Sequence, residues 1–309
     1  MKSRHFLIVL LIVSTLMPLG FNLRVEAQNE PPLPEFRLYW SPDGNQVAVV
    51  LQTEIRLYDA QFTQYTLIPL DSPPDQSLVR SVSWNPSGTR LGINLLIEFN
   101  EYVQIWDTQP VQLVSQLQDN EIRRAVQWSP DGQHFSVIYG PSRVNIYDGN
   151  TATLISEFTP VPTATIQRFA WNPIRNEIVV GIGTSLYFWD IASNTQRAQL
   201  DNAFNPSADI AFSPDGNTLA TVAPSDSENL VIWDLDTLQS DQILVGHTEN
   251  ISKFTWANNN RIATASFDDS IRVWDVNTEQ TIRTISVGLT HQLEWYPDDE
   301  NLYLSKFDA

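Results

Sequence analysis

The sequence predicts an all-β fold assembled from seven similar units, the last of them incomplete. Three observations carry that reading. An aromatic residue followed by a tight turn recurs at "YWSPDG" (Trp40), "SWNPSG" (Trp84), "QWSPDG" (Trp128), "AWNPIR" (Trp171), "AFSPDG" (Phe212), "TWANNN" (Trp256) and "EWYPDD" (Trp295), at spacings of 44, 44, 43, 41, 44 and 39 residues. A second mark, an aromatic–Asp pair, follows each of the first six, its aromatic 18 to 22 residues further on. No segment after residue 27 sustains a 3.6-residue apolar period, so helix is not expected.

In chain order, Lys2 and Arg4 precede the apolar run FLIVLLIVSTLMPLG, and Val25-Glu26-Ala27 offers the small residues that a signal peptidase needs. Residues 1–27 are therefore expected to be a secretory leader cleaved after Ala27, with release to a periplasm or the medium. The competing reading is an uncleaved anchor, for which the run falls short of the roughly 20 apolar residues of a membrane span. Residues 28–35, QNEPPLPE, read as a Pro-rich linker: Pro31, Pro32 and Pro34 lack the N–H a strand must donate. Residues 36–309 carry the repeats. Each opening turn has its own logic: Ser or Asn suits the first position, Pro presets the second, Asp or Ser fits the third and Gly closes it. Short β-branched runs such as "QVAVVL", "HFSVIY", "EIVVGI" and "RIATAS" lie between the marks and read as strands. The second marks are "IRLYD" to Asp59, "VQIWD" to Asp107, "VNIYD" to Asp148, "LYFWD" to Asp190, "LVIWD" to Asp234 and "IRVWD" to Asp275.

The chain has 10 tryptophans, and every one sits on a mark. Trp40, Trp84, Trp128, Trp171, Trp256 and Trp295 occupy the first; Trp106, Trp189, Trp233 and Trp274 occupy the second. A large ring buries about 150–250 Å². At about 25 cal/mol per Å² that is roughly 4–6 kcal/mol apiece as an upper bound. The costliest side chains are thus concentrated on one repeated task, packing one small sheet against the next.

Composition narrows the function. Formal net charge is −18, with 36 acidic against 18 Lys and Arg residues. That opposes nucleic-acid backbones and anionic membrane surfaces. With no cysteine, neither disulfides nor thiolate metal sites are available. There is no His-Glu-x-x-His run and no Gly-x-Ser-x-Gly elbow, and "GIGTS" from Gly181 lacks the spacing of a phosphate loop. No cofactor or metal is implied.

The ordered recurrence of these marks resembles the WD-repeat β-propeller family, over residues 36 to 309. The resemblance implies radial blades of four strands, a to d, around a central channel. Seven strand-a marks then imply a seven-bladed WD-repeat β-propeller of exported, bacterial type, whose last blade is incomplete. After Trp295 only "NLYLS" offers a further strand. That blade would expose an edge able to pair with another chain. The b–c hairpins of blades two and five are longer, around Phe99 and around Ser225 to Ser227.

Blade six alone keeps the family's Gly-His mark, at Gly246-His247. The resemblance assigns His247, Thr264, Asp268 and Trp274 to a buried polar chain running from indole to hydroxyl to imidazole to carboxylate. Its role is structural, because Thr264 sits within a strand beneath an indole, away from any substrate. Asp275 is expected to cap backbone N–H groups of the following turn.

For binding, the family uses the face of d–a and b–c loops. Its positions four residues before each strand-a aromatic are Phe36, Arg80, Arg124, Gln167, Ala208, Ser252 and His291 here. The position before the b–c turn adds Phe267 and Phe99. Arginines and aromatics on one rim resemble interface anchors; ordinary loop residues are the alternative. The expected function is an exported, non-catalytic scaffold binding a protein or peptide on this face. The competing reading is a propeller hydrolase or lactonase with a metal in the channel, which needs several inward carboxylates or imidazoles at one end.

Overall fold

After Trp40, Trp84, Trp128 and Phe212 the chain reverses through a turn closed by its own backbone. Gly44, Gly88, Gly132 and Gly216 each donate an N–H to the carbonyl three residues back, at 2.9–3.0 Å. Their φ angles are 68–70°, a left-handed conformation that Gly adopts without a Cβ penalty. Asn260 takes that place in "TWANNN", with φ 60°.

The computed structural model describes residues 11–14, 37–51, 53–70, 77–288, 290–295 and 299–306. Among these no helix forms and the strands are β1 to β27. β1 is Leu11–Ser14. The first four-stranded sheet is β2 (Arg37–Trp40), β3 (Gln46–Val50), β4 (Ile55–Asp59) and β5 (Tyr65–Ile68). The second is β6 (Ser77–Trp84), β7 (Arg90–Ile97), β8 (Asn100–Thr108) and β9 (Val111–Gln118). The third is β10 (Ile122–Trp128), β11 (His134–Tyr139), β12 (Arg143–Asp148) and β13 (Leu154–Phe158). The fourth is β14 (Ile166–Trp171), β15 (Glu177–Ile182), β16 (Ser185–Asp190) and β17 (Thr195–Leu200). The fifth is β18 (Ile210–Phe212), β19 (Thr218–Val222), β20 (Leu230–Asp234) and β21 (Gln239–Leu244). The sixth is β22 (Ile251–Trp256), β23 (Arg261–Ser266), β24 (Ser270–Asp275) and β25 (Gln280–Ser286). β26 (Thr290–Trp295) and β27 (Asn301–Lys306) form a last sheet with β1, in the order β1-β27-β26.

The architecture is therefore an all-β propeller of six four-stranded blades, not the seven inferred from the marks. The seventh mark, Trp295, ends β26, which lies in a sheet of three strands among the described residues. The third strand comes from Leu11–Ser14, within the segment read as a leader, which pairs antiparallel with β27 from Leu11↔Leu304 to Ser14↔Asn301. The linker 28–35 lies outside the described residues.

The strand order within each blade is sequential, and the first strands of successive blades touch one another. The first strands therefore line the axis and the fourth strands form the rim. The core is divided accordingly. Ile55 and Leu57 of the first blade pack with Leu91 and Ile93 of the second, and Val103 and Ile105 of the second with Phe135 and Val137 of the third. The indoles lie in these seams, buried or half-buried. Five strand-a indoles reach back to the preceding blade: Trp84 donates to the Tyr39 carbonyl at 2.8 Å, and Trp128, Trp256 and Trp295 donate to the Ser83, Ala211 and Thr255 carbonyls at 3.2 Å. Trp171 donates instead to Ser136 Oγ at 2.9 Å. A seam thus combines apolar burial with a hydrogen bond that fixes the ring.

Candidate functional site

The His247 network is assembled as a chain of donors. Trp274 Nε1 donates to Thr264 Oγ1 at 2.9 Å, Thr264 Oγ1 lies 2.7 Å from His247 Nε2, and His247 Nδ1 lies 2.8 Å from Asp268 Oδ2. Burial lowers the imidazole's pKa below its ordinary value, against the opposing pull of Asp268. The neutral ring then donates from Nδ1 and accepts the Thr264 proton at Nε2. Burial pushes the Asp268 carboxyl upward, yet hydrogen bonds from Ser270, His247 and the Thr248 backbone outweigh it and bring it to about 2. Sequence reading missed Ser270, whose Oγ donates to Asp268 Oδ1 at 2.6 Å, and Ser266, whose Oγ bonds the Glu249 carbonyl at 2.7 Å. The "SFDDS" spelling around the b–c turn carries both. Thr264 is fully buried, so this hydroxyl braces a turn and meets no substrate.

Asp275 accepts the Thr278 N–H at 3.1 Å, and Asp59, Asp148, Asp190 and Asp234 cap their own turns in the same way. Asp107 departs from the set and pairs with Arg90 at 2.7 Å.

The rim positions have a backbone cause that the sequence does not spell. In β6 the pairing with β7 slips between Val79 and Ser81, leaving Arg80 as the extra residue. The same slip singles out Gln167 in β14, Ser252 in β22 and His291 in β26. β10 slips one residue earlier, between Ile122 and Arg124, and again before Gln127. A β-bulge re-aims one side chain and bends the strand. These positions are therefore set apart from the ladder at the mouth of the channel.

Their side chains diverge in use. Arg80 is exposed and its Nε pairs with Glu101 at 3.0 Å. Gln167 Oε1 accepts the Gly183 N–H at 3.0 Å, so it braces its own b–c turn. Ala208 is buried against the fifth and sixth blades rather than presented. Ser252 Oγ bonds the Ala265 carbonyl at 3.2 Å. Phe36 lies outside the described residues; Arg124 and His291 are placed on β10 and β26, with side chains outside the described set. Phe99 is 93% exposed and Phe267 56% exposed. Both stand at b–c turns, at the same end of the sheets as Arg80 because neighbouring strands are antiparallel. Phe99 caps the longest hairpin, and its turn is the two-residue Glu98-Phe99, with φ angles of 47° and 70°. That type I′ geometry favours Asn-Gly; here two non-glycine residues occupy it.

Between the first strands of four sheets lies a cavity of about 440 Å³, lined by Arg37, Tyr39, Asp209, Lys253 and Glu294 among others. Polar bridges tie successive blades around it. Arg37 donates to the Val79 and Arg80 carbonyls at 2.6 and 2.7 Å, and Gln127 donates to the Phe169 carbonyl at 3.1 Å. Asp209 is held from both sides, by Arg168 at 3.1 Å and Lys253 at 3.0 Å. Among the described residues no three His, Asp or Glu side chains are grouped to hold a metal ion.

Residues 238–275, the last strand of the fifth blade through the Trp274-Asp275 mark, match the family described as "WD domain, G-beta repeat". The likeness is to WD-repeat proteins. Residues 111–236 match the family described as "Eukaryotic translation initiation factor eIF2A". Among curated proteins the chain is 29% identical over 117 residues to "Protein tipD" of Dictyostelium discoideum, covering 38% of this chain and 19% of that protein. It is 24% identical over 136 residues to "APC/C activator protein CDH1" of Saccharomyces cerevisiae, covering 42% and 24%. It is 27% identical over 117 residues to "COMPASS component SWD3" of the same yeast, covering 37% and 36%. The match thus spans between a fifth and somewhat over a third of these relatives' own lengths. They carry eukaryotic names, and none speaks to an exported bacterial type.

Proposed function

We propose that this propeller is an exported, non-catalytic scaffold that binds a protein or peptide on the face bearing Arg80, Phe99 and Phe267. The observation that carries the reading is Phe99. A large apolar ring is held almost wholly in solvent on a turn whose backbone would be better served by Asn-Gly. Such a residue is costly to the free protein and is useful when a partner covers it. Relatives named as an activator of one assembly and a component of another support a scaffold role. Export rests on the leader-like residues 1–27, whose cleavage would remove β1 and leave β26 and β27 paired with each other alone among the described strands.

The test is a tagged, purified chain used to capture partners from its native host. Replacing Arg80, Arg124 and Phe267 together by Ala should abolish the specific capture while leaving the melting temperature nearly unchanged. Retained capture would discard this face. The mass of the protein recovered outside the cytoplasm checks export separately, with a mature chain beginning at Gln28 as the expected result.

A further inference from the structure

The charge around the channel mouth runs against the charge of the chain. Acidic residues outnumber basic ones two to one overall, 36 to 18. At the positions three and four residues before each strand-a aromatic the ratio is reversed. They hold Arg37, Arg80, Arg124, Arg168 and Lys253 against a single carboxylate, Asp209. These positions sit at the loop-face ends of the first strands, bulged in β6, β14 and β22, and those strands converge on the axis.

The structure shows how that charge is disposed. Arg37, Lys253 and Asp209 line the same axial cavity of about 440 Å³. Asp209 is shared by Arg168 and Lys253, so one negative charge serves two positive ones. The Arg37 guanidinium is held by two neutral carbonyls, which orient it without cancelling its charge. Lys253 keeps 41% of its side chain exposed. Counting Arg168, the mouth layer holds three cations against the single carboxylate Asp209; low-dielectric walls focus the field of that excess, and an otherwise repelling surface sharpens the contrast. Two residues further down the strands, roughly 7 Å deeper, Glu294 joins the lining of the cavity.

We propose that the loop-face mouth of the channel is a binding site for a carboxylate-rich peptide segment, received between Arg37, Arg168 and Lys253. This deepens the scaffold reading and rests on it: the partner's anionic stretch sits on the axis while its apolar residues meet Phe99 and Phe267. Guanidinium forks match carboxylates geometrically. Asp209 acts as a placeholder whose two cations an incoming carboxylate can share.

The experiment is a calorimetric titration of the full chain at low salt with three probes: an oligoglutamate peptide, an oligolysine peptide and a phosphoserine peptide of equal length. Saturable one-to-one binding of oligoglutamate, weakened by added salt and absent for oligolysine, is expected. Two variants have opposite signs. Lys253→Gln should weaken oligoglutamate roughly fivefold, and Asp209→Asn should tighten it by a similar factor. Thermal melts of both variants verify that the ring is intact. No saturable oligoglutamate binding, or affinity unmoved by Asp209→Asn in a folded protein, overturns the proposal. Binding of the phosphoserine peptide alone overturns it in favour of a phosphate reader. If oligoglutamate fails while the Arg80, Arg124 and Phe267 replacements still abolish capture, the scaffold reading stands and its partner is not acidic. If those replacements leave capture intact while oligoglutamate binds as expected, the axial site stands and the rim does not.

Discussion

His247 shows what a single side chain contributes when every neighbour depends on it. Its two nitrogens hold Thr264 and Asp268, and through Thr264 it fixes the Trp274 indole. Removing it leaves a buried hydroxyl and a carboxylate without their partner. His247→Ala should therefore cost about 1–3 kcal/mol in a denaturant titration, and Thr264→Val a comparable amount. Acid has a defined effect as well. The imidazole's pKa is lowered on folding, so the unfolded chain takes up this proton first. Stability from His247 is complete above the ordinary value of 6.5 and is lost as pH falls through the folded value. Asp268, lowered from 3.8 to about 2, adds a second loss over that more acid range. Melting temperature against pH should fall in these two stages, and a His247→Gln variant should lack the first. A single loss common to both proteins would refute the assignment.

At the scale of the element, the Glu98-Phe99 hairpin separates folding from function. Replacing the pair by Asn-Gly relieves two positive φ angles and should raise stability by about 0.5–1 kcal/mol. Partner capture should be lost at the same time. A lower melting temperature would mean that Phe99 serves the fold, and the interface argument would fail. This hairpin also shows what the sequence could disclose. Its extra length was legible from the distance between Trp84 and Trp106, and the exposed ring could be named. The bulges in β6, β14, β22 and β26 could not be seen, because Arg80, Gln167, Ser252 and His291 share no residue type that marks a bulge. The burial of Ala208 and the engagement of Gln167 were equally hidden. Both are set by which neighbouring blade closes over them. The strands themselves were legible because each lies between a turn with strong chemistry and an aromatic with one task. The His247 chain was legible because one blade spells it in full.

For the whole molecule, the seven marks imply seven blades with the last incomplete, where the structure has six four-stranded blades. A strand-a aromatic records where a sheet begins, and Trp295 opens one of three strands. The chain carries a formal net charge of −18, which strains the compact state through self-repulsion. Raising salt from low concentration to about 0.15 M shortens the Debye length to about 8 Å, and the melting temperature should rise. Oligoglutamate binding should weaken over the same range, so fold and mouth respond to salt with opposite signs. A melting temperature that falls with salt would show that ion pairs such as Arg90–Asp107 outweigh the repulsion.

The stitching between blades runs one way. Trp84, Trp128, Trp256 and Trp295 each fasten to the carbonyl just ahead of the preceding aromatic, so each of these four units brings its own hook to the unit before it, while Trp171 hooks the Ser136 hydroxyl and Phe212 has no N–H to offer. A copy of one of these four units, placed behind another unit, would find its carbonyl waiting. Ancestors of such a chain could therefore gain or shed whole units by duplication and deletion without redesigning a single joint.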